Sequence, residues 1–158
     1  MAIEAYKTSY YDKYAFLVKI AGFVRAGFSK VDGLEMSAEV IEYNEGGHLS
    51  AHKSPGKIKV KDVSFERGET NDLDLYNFFK KVYDVAENSG GTIDADYKTD
   101  FQIIQVDRHK KIKKTWNVYG GWPTTFSVGE WDAGSSEKQI EKMVMAIDYF
   151  EPVVEQYY

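Results

Sequence analysis

Apolar and polar residues alternate along most of the chain, and the alternation predicts strands more often than helices. Phe16, Val18 and Ile20 share one face of a strand over Ala15–Ala21. Gly22 and Gly27 interrupt the pattern, so Phe23–Phe28 reads as a short bend or a second strand, and Gly33 marks a turn. Over Glu35–Tyr43, Met36, Ala38 and Val40 fall on one face and Glu35, Ser37 and Glu39 on the other, a strand with one polar side. Asn44–Gly56 is polar and rich in glycine and reads as a long loop, the kind that is usually functional or mobile. Lys57–Glu66 returns to strand, with Ile58 and Val60 in one phase and Val63 and Phe65 in the other. That slip predicts a β-bulge near Lys61–Asp62.

Asn71–Glu87 is the one segment with clear helical periodicity. Leu75, Phe78, Phe79, Val82, Tyr83 and Ala86 form its apolar stripe, predicted to be buried. Asn71 or Asp72 is placed to cap it, Asp72 and Asp74 suit its positive end, and Ser89-Gly90-Gly91 stops it. Asp100–Val106 and Lys114–Tyr119 read as paired strands joined by a basic tip, Asp107–Lys113. Gly120-Gly121-Trp122-Pro123 reads as a turn, and Thr124–Val128 as a short strand. Over Glu137–Phe150 the spacing fits both periods: Ile140, Val144 and Ile147 suit a helix, Met143, Met145, Ile147 and Tyr149 a strand. All three prolines, Pro55, Pro123 and Pro152, fall outside the predicted strands. Edge-blunting by proline is then missing, leaving Lys57, Lys59 and Lys61 for that task or the edges for neighbours.

A length of 158 residues sets one domain, 1–158, with about 1–14 as an N-terminal arm and 151–158 as a C-terminal tail. A hydrophobic fraction of 43% and an aromatic fraction of 15% suffice for a packed core and exclude global disorder. The net charge of −5 argues against a general nucleic-acid binder. With no cysteine, disulfides, thiol catalysis and thiolate metal sites are excluded. Met1–Tyr14 has no long apolar stretch, so neither a signal peptide nor a membrane span is expected there. Twelve tyrosines fit interfaces and strands alike.

Candidate chemistry is thin. Ala51–Lys57 approaches a phosphate-binding loop, but Ile58 stands where Ser or Thr should hold Mg²⁺, and a strand follows instead of a helix. His48 and His52 have ligand spacing only on a helix, so they read as exposed loop histidines and no metal site is assigned. His109 lies in the basic run 108–114, read as a solvated hairpin tip. Asp94, Asp96 and Asp100 lack the glycine and distal glutamate of a calcium loop. No nucleophile elbow or Ser–His–Asp signature appears. The expectation is a non-enzyme without cofactor, catalytic or metal residues.

Several segments, in order along the chain, resemble the tail tube protein family of contractile phage tails and related contractile injection systems. They are Phe16-Leu-Val-Lys-Ile20; Ala26-Gly-Phe-Ser-Lys-Val31 with Gly33-Leu34; Glu39-Val-Ile-Glu-Tyr-Asn-Glu-Gly46; Lys53 with Pro55-Gly56; Val63-Ser-Phe-Glu-Arg-Gly68; and Trp116 with Trp122-Pro123-Thr124. Two departures stand out. Gly120-Gly121 replaces the family's usual Asn-Ala, and the last segment is Met143-Val-Met-Ala-Ile-Asp-Tyr-Phe150.

The resemblance implies a mainly β fold with one flanking helix, α+β, built as two packed antiparallel sheets or a distorted β-barrel, with the last segment a strand. It implies a structural subunit that self-assembles as stacked hexameric rings, a hollow conduit for DNA or protein effectors. The implied partners are further copies of itself, a sheath protein, a baseplate, tube-terminating proteins and the cargo, without stable membrane insertion. Assembly would occur in the cytoplasm, and the product would be part of a virion or a released extracellular particle. By the same resemblance, Asn44, Glu45, Gly46, Gly47, His48, Leu49, Ser50, His52, Lys53, Pro55 and Gly56 form a ring-stacking loop. Candidates for a lumen face are Glu35, Ser37 and Glu39, or Lys57, Lys59 and Lys61. The competing reading is a monomeric small β-barrel that binds a ligand. A further one is an enzyme built on a pair of carboxylates.

Overall fold

The computed structural model describes residues 10–20, 27–83 and 97–154. In chain order they form β1 (Phe16–Ile20), β2 (Phe28–Asp32), β3 (Met36–Tyr43), β4 (His52–Val60), β5 (Val63–Gly68), α1 (Asp74–Val82), β6 (Thr99–Val106), β7 (Ile112–Ser127), β8 (Ile140–Ala146) and β9 (Tyr149–Val154). These make two antiparallel sheets. One has seven strands along the path β1-β6-β7-β8-β5-β2, with β9 also on β7; the other is the β3–β4 pair. The path ends on β1 and β2, so no barrel closes, and the fold class expected from the sequence holds in its two-sheet form.

The long strand β7 turns the larger sheet into two layers. Its first part pairs β6 on one side and β9 on the other, and its last part pairs β8. The segment Gly120–Pro123, expected as a turn, is therefore strand, bent at its glycines. Gly120 has φ +69, and a Cβ there would collide with the Asp148 carboxylate. A Cβ on Gly121 would meet Met145 Cε and Phe101 Cε1 at 3.0 Å. Asp100 Oδ1 accepts the Gly120 N–H at 3.0 Å, and Asp148, held by Lys98 at 3.0 Å, gives its own N–H to Tyr119 O at 2.9 Å.

Between the layers the alternation does what it predicts. Val18 and Ile20 of β1, Val63 and Phe65 of β5, Phe101 and Ile103 of β6, Val118 of β7 and Met143 and Met145 of β8 are buried together. Phe65 meets Phe101 edge-on at 5.3 Å across the layers. In the ambiguous segment 137–150 the strand reading holds from Ile140 on, β8 leading into β9 with only Ile147 and Asp148 between them. Residues 151–154, expected in a C-terminal tail, continue β9.

Other expectations need correcting. All three prolines lie in strands, Pro55 in β4, Pro123 in β7 and Pro152 in β9. The phase slip before Val63 is not a bulge within one strand: β4 ends at Val60, the chain leaves the small sheet, and β5 starts in the large one. Residues 52–56 of the expected loop 44–56 are strand, because β4 begins at His52 and Pro55 pairs with Val40. The Phe23–Phe28 segment falls outside the described residues except for Gly27 and Phe28, and Phe28 opens β2.

The helix is shorter than its periodicity suggests among the described residues; the expected Ala86 and the 89–91 stop lie outside them. Leu75, Phe78 and Val82 are buried, whereas Phe79 and Tyr83, expected with them, are half-buried and stacked on each other at 5.2 Å. Leu73 holds the N-cap position without a side-chain bond, and Asp72, one residue earlier, accepts the Asp74 N–H at 2.9 Å through Oδ1. That backbone bond, with the Arg67 charge beside it, lowers the Asp72 carboxyl from its ordinary range. The buried Arg67 donates through Nε to the equally buried Glu141 at 3.0 Å and through Nη2 to Asp72 O at 3.0 Å. It thus ties the helix start to β5 and β8.

At the β6–β7 tip, Asp107 Oδ1 accepts the N–H groups of Lys111 and His109, each at 2.8 Å. Those bonds, aided by the Lys113 charge, hold its carboxyl below the usual range.

Two outcomes test the core. Leu75→Ala should cost about 2–5 kcal/mol in denaturant unfolding, and Phe79→Ala less, since part of its ring already faces solvent. Glu141→Ala should cost about 3–5 kcal/mol by taking from the buried guanidinium its buried anion and leaving only the exposed Asp72 carboxylate at 3.4 Å; equal stability to the parent would refute the buried-pair reading.

Candidate functional site

The β3–β4 hairpin stands apart from the rest of the subunit. Every residue of β3 is exposed, although its alternation is that of a strand with a face to bury. The hairpin brings polar side chains of both strands together. Register pairs Ser37 with Lys59, Lys59 Nζ reaches Glu39 Oε1 at 2.8 Å, and Lys61 Nζ lies 3.6 Å from Glu35 Oε2. The two candidate lumen sets, acidic and basic, thus meet across the hairpin, with Glu39 and Glu35 each paired to a lysine, Lys59 and Lys61. Lys57 sits where the register shifts, between the Ala38 and Val40 pairings.

The apolar side is unpartnered. Met36 faces Val60 and Ala38 faces Ile58 across the strands, yet Met36, Val40 and Ile58 are 50%, 61% and 68% exposed. Ile41 and Tyr43 are also open. Met36, Ala38 and Val40, the apolar face read from the sequence, do not pack on the core, because both hairpin strands lie outside the large sheet. At the hairpin's base, Val60 alone touches the core cluster. Sequence reasoning did not foresee this exposure: alternation shows which residues share a face, not what covers it.

The hairpin ends in residues 44–51. His48 donates its N–H to Glu45 O at 3.2 Å, and Gly47 has φ +88, the conformation glycine supplies at the third position of a type II turn. His52 then opens β4 opposite Tyr43. Glu45 Oε2 lies 3.3 Å from His48 Nε2 and 3.9 Å from His52 Nε2. Leu49 at this tip is fully open to solvent. The basic run 108–114, at the β6–β7 tip, lies on another element. Beyond the hairpin, Trp131 is 75% exposed on the loop between β7 and β8, a position no sequence signal singled out.

Catalytic geometry is missing among the described residues. The buried ionisable pair, Arg67 and Glu141, is an ion pair inside the sheet. A groove of about 680 Å³ opens where the strand path ends, lined by Phe16, Val31, Ile103 and Trp116 together with Lys13, Lys30 and Gln105. It is a seam between β1 and β2, not the interior of a barrel, which removes the basis of the ligand-binding-barrel reading.

No curated protein matches the sequence. The structure is similar to the sheath–tube complex of an extracellular contractile injection system (PVC) in its extended state, with TM-score 0.77 and 20% identity, covering 98% of this chain and 99% of that one. It is similar to the tube-terminating cap of the anti-feeding prophage, with TM-score 0.78 and 21% identity over 98% and 100%. It is also similar to the PVC sheath/tube terminator, with TM-score 0.78 and 21% identity over 94% and 99%. Residues 12–151 match the family described as T4-like virus tail tube protein gp19. That family consists of structural tube proteins and not of enzymes, and with nearly the whole chain matched, this protein belongs to it.

Proposed function

We propose that the subunit closes into hexameric rings that stack into a hollow tube, a conduit for DNA or protein effectors. The observation that carries this is the β3–β4 hairpin. A two-stranded hairpin is at best marginal on its own, and this one leaves apolar residues of both strands in water. Joining hairpins between copies buries those residues and satisfies the strand edges that a lone subunit leaves open. The outer edge of β3, like the edge strands β1 and β2, carries no proline, whereas β4 and β9 each contain one, so β3 can offer every N–H of that edge to a neighbour.

Within that tube the charge-balanced group of Glu35, Ser37, Glu39, Lys59 and Lys61 lines the bore. Paired charges give a wet surface that neither attracts nor repels a charged cargo strongly. Residues 44–51 and the start of β4 reach the next ring. The similarity to structures of a sheath–tube complex, a tube terminator and a baseplate supports a sheath, a baseplate and a terminator as partners, in a phage tail or a released injection particle.

Negative-stain electron microscopy across a concentration series tests the assembly, with sixfold rings or hollow tubes expected. Val40→Lys with Ile58→Lys should leave subunit stability within about 0.5 kcal/mol, since both sites are exposed, yet abolish the rings. Rings that persist in this variant overturn the hairpin assignment. Replacing 44–51 by a two-residue Asn-Gly turn keeps β3 and β4 intact. It should permit rings but not long tubes; tubes of parental length would remove the stacking role.

A further inference from the structure

The hairpin tip carries a feature that tube assembly does not require. Three potential metal donors converge there, all from one subunit. The carboxylate of Glu45 and the imidazoles of His48 and His52 present ligand atoms that all lie within 4.8 Å of one another. In tetrahedral zinc coordination, with metal–ligand bonds of 2.0–2.2 Å, neighbouring donors are about 3.3 Å apart. The Glu45–His48 separation of 3.3 Å already matches, and the Glu45–His52 separation of 3.9 Å needs only a small side-chain rotation. All three side chains are solvent-accessible, so such a rotation meets no packed neighbour and an ion has an entry path.

The backbone sets up the convergence. The turn closed by the His48 N–H bond to Glu45 O puts those two side chains on one side. His52 is fixed by its register opposite Tyr43. The spacing Glu45-x-x-His48-x-x-x-His52 is not a helical motif. Its ligand geometry exists only because the chain folds back through Gly46 and Gly47. Two imidazoles and one carboxylate suit Zn²⁺, and Ni²⁺ or Cu²⁺ equally; hard cations such as Ca²⁺ need six or more oxygens. The third histidine of the chain, His109, lies on the β6–β7 tip and takes no part.

We propose that Glu45, His48 and His52 form a divalent transition-metal site that clips the end of the β3–β4 hairpin, with water completing the coordination. A bound ion ties the start and middle of the 44–51 connection to the first residue of β4, so it orders the tip. Because every donor comes from one subunit, binding does not depend on rings or tubes, and failure of this site leaves the tube assignment standing.

Calorimetric titration of the full chain with Zn²⁺ at pH 7.5 tests the site. One ion per subunit is expected. His48→Ala and His52→Ala should each weaken binding at least tenfold, Glu45→Gln should weaken it measurably, and His109→Ala should leave it unchanged. Trypsin supplies a second readout: Zn²⁺ should slow cleavage after Lys53 in the parent but not in His48→Ala, and Ca²⁺ should give no protection. Absence of stoichiometric binding, or binding that survives both histidine substitutions, overturns the proposal.

Discussion

The fold depends on one strand serving two layers. A sheet of seven strands has an apolar face that must be covered, and here the sheet covers itself by bending at β7. The bend is possible because Gly120 adopts a left-handed conformation and Gly121 lies against Met145 and Phe101, where a Cβ would crowd both side chains. Two acids, Asp100 and Asp148, secure the backbone around it. Once β7 turns, β8 and β9 follow along it, Phe65 reaches Phe101, and α1 lays Leu75 and Phe78 against the same core. The Arg67–Glu141 pair does not drive this arrangement, since burying charge is costly. It fixes the register of β5 against β8 and anchors the helix start.

With the core complete, the β3–β4 hairpin is surplus to the subunit. Its residues contribute almost nothing to the monomer's buried surface, yet Met36, Ala38 and Val40 alternate with polar residues as those of a core strand do. The division is physical: one part of the chain satisfies itself, and another is satisfied only by contact with something else.

Much of this was legible in the sequence, and the failures have identifiable causes. Period-two alternation located β1, β6 and the first part of β7, because strands with a buried face write that pattern plainly, and it located β3, whose apolar face the subunit leaves uncovered. Ordered motifs led to the family where periodicity could not. The glycine-based reading failed at both ends of its range. Gly120-Gly121 signals a turn by composition, but here it is a bend inside a strand, where Gly120 takes a left-handed φ and the Asp148 carboxylate occupies the space a Cβ would need. Pro55-Gly56 likewise sits at an irregularity of β4 and not in a loop. Phe79 and Tyr83 share the stripe of Leu75, but the helix presents them to the rim of the sheet, where they stack on each other instead of filling the core. The convergence of Glu45, His48 and His52 was invisible because it depends on the path of a turn, which no one-dimensional spacing rule encodes.

The attachment of the hairpin has a mechanical consequence. The chain connects it to the body through residues 33–35 and 61–62, beside the packing of Val60 on the core, with Gly33 at φ +110 close against the Asp62 backbone. In any filament whose subunits meet through their hairpins, bending loads pass through these short connections before they reach the core. Flexural compliance of such a filament would therefore be set by the tightness of the Gly33–Asp62 contact, and the close-packed double layer would ride on it as a rigid plate.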